Sequence, residues 1–131
     1  MIIRFIIFGV IGWCLEIMFT GIVSLVRNDI KMTSKTSIWM FFVYGSGAFF
    51  LPVVHFLLPF PIFVRGLIYT LLIFMAEFAA GFAMRQIDAC PWDYSEAKLN
   101  VMGIIRFDYA PLWFIVGLLF EFTHLRLDGM L

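Results

Sequence analysis

Charged residues are scarce in this chain. Asp, Glu, Lys and Arg make up 14% of its 131 residues, whereas they make up about a quarter of an ordinary soluble domain. Hydrophobic residues make up 63%, which is more apolar surface than a water-soluble fold of this length could bury. The bilayer is therefore the expected solvent. The formal net charge is zero, which gives no reason to expect nucleic acid as a partner.

Cysteine and metal-binding patterns are equally sparse. Cys14 lies in an apolar run and Cys90 in a polar connection, which does not make a disulfide framework. His55 and His124 lie near the ends of apolar runs, where a surface or structural role is expected. The sequence shows no Walker-type loop and no zinc-type cysteine spacing, so we predict no metal, no cofactor and no nucleotide-binding domain within this length.

Four apolar runs are long enough to cross a bilayer as helices. We predict them at residues 2–26, 37–58, 63–84 and 109–127, and the first is too long for the apolar region of a signal peptide. Pro52 predicts a kink in the second helix. The fold class predicted is all-α: a polytopic membrane protein forming a four-helix bundle, one transmembrane domain over residues 1–131. The polar connection at 85–108 is predicted to contain a re-entrant or interfacial segment.

Lysine and arginine are unevenly distributed among the connections. The first and third connections hold six of the nine: Arg27, Lys31, Lys35, Arg85, Lys98 and Arg106. The termini and the second connection hold Arg4, Arg65 and Arg126. The positive-inside rule therefore places both long connections in the cytoplasm.

Three carboxylic acids lie inside the predicted spans: Glu16, Glu77 and Glu121. An ionised side chain at a helix centre costs about 2.5–3.5 kcal/mol on insertion scales, so something should offset that cost. Counting from the long connections puts all three near one depth, and each shares a helix face with small or polar residues. We predict one substrate- or ion-binding site, to which Trp13 and Tyr44 also contribute. The alternative is that the glutamates are protonated hydrogen-bonding groups that fix helix packing.

The third connection carries the polar aromatic string Trp92-Asp93-Tyr94-Ser95, with Arg85 before it and Arg106 after it. An arginine this close to apolar sequence usually needs a carboxylate partner, and we expect Arg106 to pair with Asp93 or with a buried glutamate. One interpretation is a plug that ion pairs hold in place. The other is a gate or a head-group site, in which the two arginines hold a phosphate or carboxylate.

Several strings resemble known membrane-protein families. The segment from Arg85 to Ser95 closely resembles the transmembrane protein 229 family, and so do Cys14 to Thr20 and Leu67 to Leu71. Trp92-Asp93-Tyr94-Ser95, with Asn100, Gly103 and Trp113, is similar to a bacterial group of CmpB-like type IV ABC-transporter proteins. The resemblance runs from about Gly12 to Glu121. It implies a multi-pass membrane protein, and the bacterial group's name implies transport.

These observations favour a small transporter or transport subunit, in which the carboxylates carry protons or a cation. Two alternatives stay open. One is a membrane-embedded lipid-binding protein or lipid-modifying enzyme, with a buried glutamate as general acid and base; the other is an assembly protein without chemistry. The sequence identifies no catalytic residue, and catalysis is not favoured. Four helices make a narrow bundle, so we expect a homodimer or a larger membrane complex. We also expect a small-molecule, ion or lipid ligand.

Overall fold

A computed structural model describes residues 1–95 and 98–130. Within that part of the chain, four helices are long and apolar enough to cross a membrane: Ile2–Val26, Ile38–Leu57, Ile62–Gln86 and Phe107–Met130. The predicted all-α, multi-pass fold is confirmed, and the predicted helix ends differ by up to three residues. The chain divides into two compact units, Met1–Phe50 and Leu51–Leu131.

The first unit is built from α1 (Ile2–Val26) and α2 (Ile38–Gly45), followed by a 3₁₀-helix at Ser46–Phe50. Close approach of the two α-helices depends on glycine. Gly12 packs directly against the Tyr44 side chain, and Gly9 packs against the ring of Phe41. Small residues are typical of such helix contacts in membranes, because they let two backbones come together.

The connection at residues 27–37 folds back along the last turns of α1. The Trp13 indole N–H donates to the Ser37 carbonyl at 2.9 Å, and the Ser34 hydroxyl donates to the Ile17 carbonyl at 2.8 Å. Farther along, the Lys35 N–H donates to Thr20 Oγ1 at 2.9 Å. The start of α2 is therefore level with the middle of α1, and the last turns of α1 extend past it.

The second span departs from a regular α-helix where the sequence predicts a kink. It consists of α2, the 3₁₀-helix Ser46–Phe50 and then α3 (Leu51–Leu57), which belongs to the second unit. Pro52 is the second residue of α3. Proline is tolerated in a first helical turn, because its missing N–H would have no partner there.

The second unit contains α3, α4 (Ile62–Gln86) and α5 (Ala110–Met130). Val54, Leu57 and Tyr69 form a buried apolar cluster in it. Gly117 of α5 packs against the Tyr69 side chain, which brings α4 and α5 into close contact. Pro61 precedes the first residue of α4 and ends the turn that follows α3.

The connection between α4 and α5 carries a short antiparallel hairpin, β1 (Asn100–Val101) and β2 (Ile105–Arg106), in which Asn100 is opposite Arg106. Met102 and Gly103 have φ angles of 55° and 69° in the turn. Ile104 is fully buried. The segment predicted as re-entrant or interfacial is thus a hairpin whose turn directs an apolar side chain inward.

Candidate functional site

Glu16 is held by a neutral donor in the first unit. Tyr44 Oη donates to Glu16 Oε1 at 3.0 Å, so the structure brings two of the predicted site residues together. Trp13 lies nearly one turn away on α1. Its N–H is bonded to Ser37, and its ring lies 4.8 Å from that of Phe41, so it is part of the helix contact and not a hydrogen-bond partner of Glu16.

Glu16 is less deep in its unit than residue counting indicates. It lies between Trp13 and Ile17 on α1, and both of these contact the residues that lead into α2. Counting from Val26 places Glu16 about ten residues inside the span. The fold-back of the connection instead places it level with the start of the second span.

Glu121 is ion-paired in the second unit. Arg65 Nε lies 3.0 Å from Glu121 Oε1 and 3.1 Å from Oε2. The exposed fractions of the two side chains are 17% for Arg65 and 7% for Glu121, so the pair is buried within membrane-spanning helices. The buried Tyr69 hydroxyl also faces this carboxylate, without a hydrogen bond of standard geometry.

Arg65 is a site residue that the sequence did not predict, because an arginine near the end of an apolar run reads first as a topology signal. Arg65 is the fourth residue of α4, inside the apolar run. A cation in that position needs a partner as much as a buried glutamate does. That requirement is the signal that could have identified the pair.

Glu77 and Glu121 do not share one level of the second unit. The Arg65 guanidinium also donates to the Phe60 carbonyl at 2.6 Å, so the ion pair lies at the beginning of α4. Glu77 is twelve residues farther along α4, which is about 18 Å at 1.5 Å per residue. The prediction of one depth is wrong for these two carboxylates. A meeting of Glu16 with either of them would involve both units and stays a prediction.

A second polar contact joins α3 and α5. His55 Nε2 lies 2.8 Å from Asp128 Oδ2, and both side chains are partly exposed. His124, one turn before Asp128 on α5, is almost completely buried. Together with Glu121 these residues give the last part of α5 a face of ionisable groups, at the spacing that aligns side chains on one side of a helix.

The polar string of the third connection folds onto the hairpin. The Trp92 indole N–H donates to the Ile104 carbonyl at 2.7 Å, and the Tyr94 N–H donates to the Gly103 carbonyl at 2.8 Å. Asn100 Oδ1 accepts the Gly103 N–H at 2.9 Å. These bonds explain why the motif combines these three residues. The Trp92 indole donates to the hairpin, the Asn100 amide accepts from its turn, and Gly103 takes the positive φ of that turn.

Both arginines of the connection have carboxylate partners. Arg106 forms a two-pronged pair with Asp108, with Nε to Oδ1 at 2.8 Å and Nη2 to Oδ2 at 2.5 Å. Arg85 Nη2 lies 3.6 Å from Asp93 Oδ1, and its Nη1 donates to the Met102 carbonyl. The expected pairing of Arg106 with Asp93 is therefore wrong, because the hairpin brings Asp93 to Arg85 while Asp108 is only two residues from Arg106.

Hydrogen bonds and nearby charges favour the charged forms of Asp93 and Arg106. Hydrogen bonds from the Ser95 hydroxyl and N–H, with the nearby charge of Arg85, hold the pKa of Asp93 below its usual range. The bond to Asp108 raises the pKa of Arg106, whose guanidinium also lies 4.3 Å from the centre of the Tyr109 ring. The two arginines are neutralised locally, which supports the interpretation of a connection held in place by ion pairs.

Gly103 is a position in this connection where only glycine fits well. Its φ of 69° disfavours any other residue, and a Cβ there would lie 2.7 Å from Ser95 Oγ, 2.8 Å from Arg85 Nη2 and 2.9 Å from Asp93 Oδ1. We expect Gly103→Ala to lower the free energy of unfolding by about 1–3 kcal/mol. Chemical denaturation in micelles measures it, with Gly129→Ala as control, because a Cβ at Gly129 meets nothing within 4 Å. Equal stability of the two variants would contradict the prediction.

Comparison with known proteins gives one family. The model of the family described as "Putative ABC-transporter type IV" matches residues 3–129. The resemblance to the CmpB-like group is confirmed, and the resemblance to the transmembrane protein 229 family stays a prediction. No solved structure matches the chain.

Proposed function

The chain belongs to the family described as "Putative ABC-transporter type IV", whose model matches residues 3–129, and we propose that it is a transport protein or transport subunit whose intramembrane carboxyl groups bind protons or a cation. The buried Arg65–Glu121 ion pair carries this proposal. Ionisable residues inside membrane spans are rare, and they mark ion and substrate pathways by default.

The ion pair is poorly explained by stability alone. Two charges lose their hydration on burial, and well-packed apolar residues of similar volume often stabilise a fold as much or more. Arg65 and Glu121 can, however, exchange partners. A proton or a cation that binds the Glu121 carboxylate weakens its hold on Arg65, whose guanidinium keeps the Phe60 carbonyl as acceptor. Such a pair can couple ion binding to a movement of α4 against α5.

Glu16 is the second carboxyl group of the proposal. Within the described residues, Tyr44 is the side chain that hydrogen-bonds to it, and Tyr44 is a neutral donor. An ionised glutamate inside a span costs about 2.5–3.5 kcal/mol without a counter-charge. Glu16 is therefore suited to take up a proton or a monovalent cation. Glu77 remains a candidate in the same role, as the sequence predicts.

The connection between α4 and α5 would act as a gate. Its opening requires separation of Arg85 from Asp93, and Trp92 would leave the Ile104 carbonyl at the same time. We also propose that the two long connections are cytoplasmic, and that the chain works as a homodimer or in a larger membrane complex. The excess of Lys and Arg in these two connections supports the orientation.

Proton flux in liposomes tests the proposal. Purified protein is reconstituted with a pH-sensitive dye inside the vesicles, and a potassium diffusion potential drives proton entry. We expect the wild type to acidify the lumen, and Glu16→Gln and Glu121→Gln each to reduce the rate at least about a hundredfold, the lower end of what a positioned proton-transfer group contributes. Asp29→Asn is the control, since Asp29 lies in a connection outside the spans.

Two results would contradict the proposal. One is wild-type flux in both glutamine variants. The other is a wild-type rate equal to that of protein-free liposomes, together with identical, ligand-free native mass spectra for the wild type and a Glu16/Glu77/Glu121→Gln variant. Either result would favour the interpretation that the glutamates only fix helix packing.

A further inference from the structure

Tyr69 carries a buried hydroxyl that makes no hydrogen bond of standard geometry. Tyr69 is 6% exposed, and its Oη has no hydrogen-bond partner within the described residues. The neighbouring Thr70 is also buried, but its hydroxyl donates to the Gly66 carbonyl at 2.8 Å. An unpartnered buried hydroxyl lowers stability, and a phenylalanine would fill the same space without that loss. The hydroxyl of Tyr69 is therefore poorly explained by packing alone.

The Tyr69 hydroxyl faces the Glu121 carboxylate. Tyr69 follows Arg65 by one turn of α4, so the two side chains lie on one face of that helix. Gly117, one turn before Glu121 on α5, packs against the Tyr69 side chain and lets α5 approach this face. The Glu121 carboxylate therefore has two polar neighbours from α4. One is the Arg65 guanidinium, 3.0 Å away, and the other is the phenol one turn farther along.

Arg65 and Tyr69 differ in the hydrogen bonds that they can form. A guanidinium has donors and no acceptor, whereas a phenol hydroxyl can donate or accept. Arg65 therefore satisfies Glu121 only while the carboxylate is ionised. Once the carboxyl group is protonated, its O–H needs an acceptor, which Arg65 cannot supply. The buried Tyr69 oxygen, without another bond in the described part of the chain, can supply it.

We propose that Glu121 binds a proton and that Tyr69 is the positioning residue that holds the protonated carboxyl group. One proton moves from water onto a Glu121 oxygen, and no other covalent bond forms or breaks. The new O–H donates to Tyr69 Oη, while Arg65 stays charged and keeps the Phe60 carbonyl as its acceptor. This inference rests on the proposed function, because it specifies which ion one of the carboxyl groups binds.

The same surroundings disfavour a metal cation. The Arg65 guanidinium donates to the Phe60 carbonyl at 2.6 Å, which holds a positive charge beside the Glu121 carboxylate. A metal cation bound there would lie next to that charge inside a membrane span, and it would need several oxygen ligands. A proton instead becomes part of a neutral carboxyl group and needs only one acceptor.

Other ionisable groups near this site lie farther toward the end of α5. His124 is three residues beyond Glu121 and is almost completely buried. Asp128 follows one turn later, and its carboxylate lies 2.8 Å from His55 of α3. Tyr69 instead packs at Gly117, on the opposite side of Glu121 along the helix. A variant at His124 therefore removes an ionisable neighbour of Glu121 and leaves the phenol in place.

Infrared difference spectroscopy tests the inference on the full chain in micelles. Spectra at neutral and acidic pH are subtracted, and isotope-labelled tyrosine identifies the C–O bands of the four tyrosines. Acidification should produce a protonated-carboxyl band that is absent in Glu121→Gln. It should also shift one tyrosine C–O band, because the hydroxyl becomes an acceptor. We expect that shift to be absent in both Glu121→Gln and Tyr69→Phe.

Two variants and one salt comparison serve as controls. Tyr109→Phe removes a hydroxyl whose partner is Arg106, and His124→Gln removes the nearby imidazole. Both should retain the carboxyl band of Glu121 and the tyrosine shift. Sodium chloride, compared with choline chloride at equal ionic strength, should leave both signals unchanged, because no metal cation competes for the carboxylate.

The liposome assay distinguishes this inference from the transport proposal. Tyr69→Phe keeps the ring that packs against Gly117, so its circular dichroism should match the wild type. Its proton flux should fall about tenfold, since the protonated Glu121 is left as a buried donor without an acceptor. Wild-type flux in Tyr69→Phe, beside a loss in Glu121→Gln, would overturn the role of Tyr69 and leave the transport proposal standing.

The infrared result does not depend on transport. If the wild type shows no flux, the transport proposal fails, and the spectra still decide whether Glu121 binds a proton at Tyr69. The inference is overturned if acidification gives no Glu121 carboxyl band, if sodium suppresses that band, or if the tyrosine shift persists in Glu121→Gln. This last comparison keeps Tyr69 in place, so it also decides the matter if Tyr69→Phe does not fold.

Discussion

Replacing Arg65 by methionine is expected to lower the free energy of unfolding by about 3–5 kcal/mol, because it leaves a buried carboxylate without its counter-charge. Glu121 keeps only 7% of its side-chain surface exposed and lies inside a span. The substitution also removes the donor to the Phe60 carbonyl, which belongs to the turn before α4. Unfolding in mixed micelles, followed by circular dichroism, measures the loss.

The double variant Arg65→Met/Glu121→Leu separates two terms in the free energy of unfolding. One is the net contribution of the ion pair, and the other is the cost of leaving one charge buried without its partner. Neither charge remains buried in it, so we expect most of the lost stability to return. The difference between the double variant and the sum of the two single variants is the coupling energy. Arg126→Met is the control, because Arg126 is exposed and contacts the Phe122 ring, and it should change stability by less than about 1 kcal/mol. A double variant as unstable as Arg65→Met would mean that the side chains matter for packing and not for charge.

The same double variant connects stability to function. If the pair is kept for ion coupling, the neutral variant folds and yet fails to move protons in the liposome assay. If the pair only stabilises the fold, the neutral variant folds less well and retains whatever flux its folded fraction allows. Stability and flux measured on one preparation therefore distinguish the two.

The spans could be predicted from sequence because length and hydropathy alone determine which segments are able to cross a bilayer. The depth of Glu16 could not be predicted in the same way. Residue counting assumes that the connection starts where α1 leaves the membrane. In the first unit, the hydroxyls of Ser34 and Thr20 bind the connection back onto α1, and Ser37 lies beside Trp13. Such backbone pairing depends on tertiary contacts that hydropathy does not report.

The charge partners show a second limit. A helical wheel gives the face on which Glu121 lies, but it does not give the level at which α4 meets α5, so Arg65 was not found. In the third connection, two-residue strands are too short to show the alternation that reveals a register. The sequence suggested Asp93 or a buried glutamate as the partner of Arg106 and did not single out Asp108, whereas the turn at Gly103 brings Asp93 to Arg85.

Gly12→Val should destabilise the first unit by about 1–3 kcal/mol, the cost of overpacking a tight contact. Any Cβ at position 12 would overlap the Tyr44 side chain. Valine has a higher helix propensity than glycine, so helix propensity alone predicts a gain. A loss therefore measures the contact between α1 and α2. The same variant at Gly129, whose surroundings are open, should show no such loss.

Two further variants show how much of the stability lost in Gly12→Val comes from packing and how much from the hydrogen bond of Tyr44 to Glu16. Tyr44→Phe keeps the ring and removes the hydroxyl donor, and interhelical hydrogen bonds in membranes contribute only about 0.6 kcal/mol on average. Gly12→Val/Tyr44→Ala makes room for the valine, so its loss should be smaller than the sum of the two single losses. If the losses instead add, the contact between Gly12 and Tyr44 does not limit how closely α1 and α2 pack. The hydrogen bond from Tyr44 to Glu16 would then not depend on the close packing that Gly12 allows.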